Sequence, residues 1–140
     1  STGADHRDAP GAGAAGGVGF AAVAVLGATL RPGIELLLEL VDFDEHVRGA
    51  HLVVVGEGSL DSQTLHGKAP VGVARLARAA GARVVAVCGR GLLDEQQLRG
   101  VGIEASYACA DLEPDPARSM ADASVLLERL GRRIAQDHLG

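Results

Sequence analysis

The sequence has no tryptophan, one tyrosine and two phenylalanines in 140 residues. A core without large rings must be filled by small side chains, and 20 glycines with 47 % hydrophobic residues favour close packing of helices on a sheet. Cysteine is equally scarce. Cys88 and Cys109 each lie in or at the end of a small apolar run and lack metal-ligand spacing, so they read as buried, reduced thiols of a cytoplasmic protein rather than a disulfide. Basic residues are few and, apart from Arg132-Arg133, unclustered. With a formal charge of -5 and a pI near 5.4, the chain lacks the basic footprint that phosphate backbones require, which argues against nucleic acid as the main partner. No basic segment followed by an apolar core and a cleavage site opens the chain, so no secretory signal is read. The chain begins at Ser1, and the polar STGADHRDAP has no helix or strand signal, which reads as a cut end.

What is present is organised around residues 51–80, HLVVVGEGSLDSQTLHGKAPVGVARLARAA. The apolar run His51 to Val55 reads as a strand buried on both faces. A glycine-spaced polar loop follows, holding Glu57, Ser59, Asp61, Ser62, Gln63, Thr64, His66 and Lys68, and Pro70 then opens a helix to Ala80 with Val73, Leu76, Ala77 and Ala80 on one stripe. Ligands of open α/β sheets bind at the carboxyl ends of the strands, which places any chemistry in this loop. The pattern then repeats: strand Arg83 to Cys88, loop Gly89 to Gly91, a short helix Asp94 to Arg99, and a weaker strand Ile103 to Cys109. Ser119 and Asp122 have the spacing of a helix cap, followed by a stripe of Ala123, Leu127, Leu130 and Ile134. The fold class is therefore α/β, a parallel sheet with helices on both faces in three layers. A sheet this narrow leaves open edges, so it reads as an incomplete lobe whose remaining strands come from outside these residues.

Upstream, Ala9 to Leu30 carries no charge, which raises the question of a membrane span. Its glycines and alanines make it weakly hydrophobic, and a buried helix with a small-residue face explains it better. Gly11, Gly13 and Gly16 spell G-x-G-x-x-G, but no strand precedes them and no acidic residue ends a following strand, so the dinucleotide fingerprint is rejected. Two readings of Gly11, Gly13, Gly16 and Gly17 stay open: backbone amides lining an anion site at a helix start, or tight packing. Pro32 opens a helix with Ile34, Leu37, Leu38 and Val41 on one face, and Asp42 with Glu45 resembles a capping box for a short helix ending at Gly49. His46 and His51, without spaced partners, read as surface or packing residues.

The loop residues admit two readings. Gly67-Lys68 is not the end of a phosphate-binding P-loop, because Ser62 and Ala69 stand where glycine and a hydroxyl residue belong. Glu57, Asp61 and Lys68 beside a helix start nonetheless fit a small-anion site, with a carboxylate to orient a hydroxyl and a cation to neutralise charge, as phosphoryl transfer needs. Against this, Asp61, Ser62 and Thr64 are also ordinary turn and cap residues.

GEGSLDSQTLHGKAPVGVA, Gly56 to Ala74, resembles the signature of the bacterial type-1 glycerate kinases, G-E-G-x-[IL]-D-x-Q-T-x-x-G-K-x-P-x-G-V-A, at every fixed position. PGAGAAGGVGFA and LRPGIELLLEL resemble further segments of that family in the same order. The resemblance implies transfer of the γ-phosphoryl group of ATP, with Mg²⁺, to a hydroxyl of D-glycerate. It implies Asp61 and Lys68 as catalytic residues, Glu57, Gly58, Gln63, Thr64 and Gly67 as substrate-binding residues, and Glu57 acting through Mg²⁺. The family is longer and opens with a strand and a D-S-F-K-x-S loop that has no counterpart here, so the resemblance implies the C-terminal part of a two-domain kinase. Residues 1–49 would close the inserted second domain, residues 50–140 would return to the first lobe, and the partner would be the missing N-terminal lobe. Two other readings stand beside it: a non-catalytic module binding a small anion, and an interaction domain self-associating through its glycine-rich first helix.

Overall fold

The computed structural model describes residues 13–66 and 68–140. The chain divides into two compact units, Ser1–Gly33 and Ile34–Gly140. In the first, a turn of 3₁₀ helix at Ala14–Gly17 leads into α1, Val18–Leu26. The turn is left-handed at Ala15, Gly16 and Gly17, with φ of 51°, 67° and 99°. A Cβ at Gly13, Gly16 or Gly17 would meet nothing within 4 Å, and the left-handed φ of Gly16 and Gly17 makes these two serve backbone conformation rather than tight packing. Gly11 lies outside the described residues. The expected buried helix is instead a largely exposed one: in α1 only Gly19 is buried, and Val18, Val25 and Leu26 face solvent. An apolar helix stays exposed when its own unit supplies no layer against it.

The second unit, from Ile34, opens with the rest of α2, Gly33–Leu40, followed by α3, Phe43–Val47. Of the predicted α2 stripe only Leu38 is fully buried, while Leu37 and Val41 are exposed. The predicted capping box at Asp42 is absent. Asp42 has φ 48°, outside the extended conformation that an N-cap requires, and it is its carbonyl that receives the Glu45 amide and His46 Nδ1.

The sheet comprises β1, Leu52–Leu60, β2, Arg83–Gly91, and β3, Ala105–Ala108, parallel and in the order β1-β2-β3. Helices α4, Ala69–Ala79, and α5, Glu95–Gly100, pack on one face over Val55, Val84, Ala86 and Cys88. On the other face α7, Ala123–Leu139, covers Val85, Tyr107 and Cys109. The expected three-layer α/β/α arrangement is what forms. Both long strands run further than the apolar runs suggest. Glu57 pairs with Cys88 and Ser59 with Arg90, so Glu57, Gly58 and Ser59, like Gly89 to Gly91, are strand residues rather than loop. Glycine permits this: a Cβ on Gly89 would stand 2.7 Å from the Gly58 carbonyl oxygen.

Helix faces also differ from their predicted stripes. In α4 the buried positions are Pro70, Gly72, Ala74 and Ala77, and the smallest side chains face inward because the helix lies close to its neighbours. In α7 they are Leu126, Leu130 and Ile134, with Leu127 exposed. The cap predicted at Ser119 is replaced by two: Asp115 accepts the Arg118 amide at 2.9 Å to start α6, Pro116–Ala121, and Asp122 leads into α7 without a side-chain cap bond. Asp94 and Gln97 form a reciprocal capping box on α5. Cys88 and Cys109 are free and buried, as expected. No helix among the described residues is long and apolar enough to cross a membrane.

Candidate active site

β1 carries Glu57 to the carboxyl edge of the sheet, and a short return through Thr64–His66 delivers Lys68 as the residue before α4. Lys68 Nζ lies 3.3 Å from Glu57 Oε1 and 4.0 Å from Asp61 Oδ1. One ammonium thus faces two carboxylates. Thr64, fully buried, fixes the group: its hydroxyl donates to Glu57 Oε2 at 3.3 Å and accepts the Asp61 amide at 3.2 Å. Asp61 Oδ1 in turn accepts the Gln63 amide at 2.9 Å, and the Asp61 carbonyl accepts the Thr64 amide at 2.9 Å.

Asp61 and Thr64 do make a turn, and that turn is what holds Asp61 beside Lys68. Partly exposed ion pairs contribute only ~0–1 kcal/mol to stability, so three charges in this arrangement are not explained by folding alone. Lys68 retains 36 % of its side-chain exposure, enough to meet a ligand.

Of the predicted residues, Glu57, Asp61, Thr64 and Lys68 come together. Gln63 contributes its amide, and the residue is exposed. Gly58 lines a different pocket, and Gly67 lies outside the described residues. That pocket, about 310 Å³, opens at the same end of the sheet between the strand ends and α6. It includes two residues not singled out from the sequence as site residues, Ser59 and Arg90. Ser59 Oγ is buried with no hydrogen-bond partner, and Arg90, opposite it in the ladder, has no side-chain partner among the described residues. The signal was present as repetition, since β1 carries Gly56-Glu57-Gly58 in its second half and β2 closes with Gly89-Arg90-Gly91. Deeper in the sheet, burial and then the nearby Asp111 and Cys109 push the Cys88 thiol up to about 11, so it is a packing residue and no nucleophile.

The fold is a parallel α/β lobe, and its two carboxylates, lysine and buried threonine gather at the carboxyl ends of the strands, where open α/β sheets bind their ligands. Comparison with known proteins narrows this. The Glycerate kinase family model matches residues 1–139, and the chain belongs to that family. It is 39 % identical over 133 residues to glycerate kinase of Bacillus subtilis strain 168, covering 95 % of this chain and 35 % of that protein. With glycerate 2-kinase of Escherichia coli K12 it shares 42 % identity over 104 residues, 74 % of this chain and 27 % of that protein. A crystal structure assigned to glycerate kinase 2 of Salmonella typhimurium LT2 superposes with a TM-score of 0.51 at 34 % identity, over 88 % of this chain and 34 % of that one. The chain thus spans about a third of the length of these relatives.

Proposed function

We propose that the protein containing these residues phosphorylates D-glycerate with ATP. The observation that carries this is the convergence of Glu57, Asp61 and Lys68 at the carboxyl end of β1 in a member of this family. In the transfer, a glycerate hydroxyl oxygen bonds to the γ-phosphorus, the bond from that phosphorus to the bridging oxygen breaks, and ADP leaves. The hydroxyl proton passes to the Asp61 carboxylate, which the turn through Gln63 and Thr64 holds in place. Lys68 binds the glycerate carboxylate or a phosphate, exchanging its present carboxylate partners for the ligand's charge.

The residues present fit Mg²⁺ in the manner usual for nucleotide enzymes, where one or two protein carboxylates suffice and phosphates and water complete the shell. Glu57 would hold it, and the ion when bound supplies neutralisation of phosphate charge. In this reading Gly58, Gln63 and Gly67 are substrate-binding residues, and Gly11, Gly13, Gly16 and Gly17 offer backbone amides to a phosphate.

The same reading assigns residues 1–49 to the end of an inserted domain and 50–140 to the returning part of the first lobe. Two features support it: α1 leaves its apolar surface exposed, and β1 is a nine-residue strand at the sheet edge with Val54 half exposed. Strands from an N-terminal lobe would cover that edge. The buried free thiols suit a reducing cytoplasm.

The test is ADP release by the intact protein with MgATP and D-glycerate, using Asp61→Asn and omission of glycerate as controls. A proton acceptor of this kind contributes about 10²–10⁴-fold, so the variant should lose at least 100-fold in kcat with the glycerate KM little changed. Turnover in Asp61→Asn near that of the native protein overturns the role of Asp61.

A further inference from the structure

The pocket beside α6 has a chemistry that the Glu57, Asp61 and Lys68 cluster does not use. Its wall is apolar, built from Pro114, Pro116 and Met120, and Met120 is 74 % exposed. Its floor is the end of the β1/β2 ladder, where Ser59 and Arg90 face each other in register. Ser119 adds a second hydroxyl, while Glu113 is occupied by the Asp115 amide at 3.0 Å.

An apolar wall with hydroxyls and one cation on the floor describes a ligand with a weakly polar ring part and an anionic tail. At about 310 Å³ the space is at the lower end of small-molecule pockets, enough for a base with its sugar and too small for a whole nucleoside triphosphate. The tail must therefore leave the pocket. Ser59 is two residues beyond Glu57 on the same strand, about 7 Å, a short step for a chain of phosphates to cross. Leaving along β1, that tail arrives at Glu57 and Lys68.

We propose that this pocket binds the base and ribose of the nucleoside triphosphate, with Arg90 on its phosphates and Ser59 hydrogen-bonded to the bound nucleotide. The inference rests on the kinase reading and adds the seat of the phosphoryl donor. It also gives a partner to a buried hydroxyl that has none among the described residues, which is costly in a folded protein, and a ligand to an exposed arginine with no side-chain partner among them. The nucleotide supplies both.

Two measurements test it on the intact protein. In steady-state kinetics, Arg90→Ala removes a charge-assisted contact, and Ser119→Phe fills the pocket. Each should raise the KM for ATP by about 10-fold or more and leave the KM for D-glycerate within about 2-fold. In the native protein, hydrogen exchange with a non-hydrolysable ATP analogue should slow the amides of residues 113–120 and 89–91, and D-glycerate alone should not. Unaltered ATP KM in both variants, or protection confined to other segments while glycerate-dependent turnover persists, overturns the pocket assignment and leaves the kinase reading standing. No glycerate-dependent ADP release from the native protein overturns both.

Discussion

Gly89→Ala is the most direct probe of how the two central strands meet. An added Cβ would stand 2.7 Å from the Gly58 carbonyl oxygen and 3.7 Å from its carbon. Carbon–oxygen contacts between strands settle at about 3.3–3.6 Å, so the strands must separate locally by roughly 0.6 Å. The oxygen cannot swing aside cheaply, because its neighbours Glu57 and Ser59 are both paired, with Cys88 and Arg90. Overpacking of this kind costs about 1–3 kcal/mol. Gly58→Ala is the matched control: it sits across the same strand pair, but its Cβ would meet nothing within 4 Å and its φ is not left-handed. Chemical denaturation of the intact protein followed by circular dichroism should show Gly89→Ala destabilised by that amount and Gly58→Ala within about 0.5 kcal/mol of native. Equal stability of the two variants would refute the close approach, and with it the account of why both strands end in glycine-spaced residues.

Thr64→Val keeps the shape of a fully buried side chain but strips the hydroxyl from Glu57 Oε2 and the Asp61 amide, and should cost about 1–3 kcal/mol in denaturation, with Thr64→Ser recovering most of it. Cys88 sets an alkaline limit. Its thiol holds its proton to about 11 when folded, against 9.0 ordinarily, so the native state favours the protonated form. The resulting stability is complete below pH 9 and is lost as pH rises through 11, up to roughly 3 kcal/mol. Denaturation at stepped pH should show this decline and Cys88→Ala should flatten it; identical pH profiles for the two would refute the assignment.

The order strand, polar loop, helix, strand was legible in the sequence because apolar runs such as Leu52 to Val55 and Arg83 to Cys88 favour parallel strands, but the expected burial on both faces fails for β1, an edge strand with Val54 52 % exposed. The Gly56 to Ala74 motif likewise carried the candidate site, since Glu57, Asp61, Thr64 and Lys68 lie close together along one segment. Where the strands end was decided by tertiary structure. Glu57 and Arg90 look like loop residues singly and become strand residues only because each finds a partner in the ladder.

Helix faces show the same division. Periodicity established that 123–139 is an amphipathic helix, but Leu126, rather than Leu127, is buried because it meets the layer of Val85 and Tyr107. A stripe in sequence states only that one side is apolar; which edge of it is covered depends on what lies opposite. The pocket holding Ser59 and Arg90 belongs wholly to the second category. Its residues are up to 62 positions apart, Gly58 to Met120, and nothing local relates them. Sequence by itself determined the elements and the short-range chemistry of one loop, because those rest on neighbours a few residues away. The fold alone decided which distant side chains share a surface, because that depends on how strands register and helices dock.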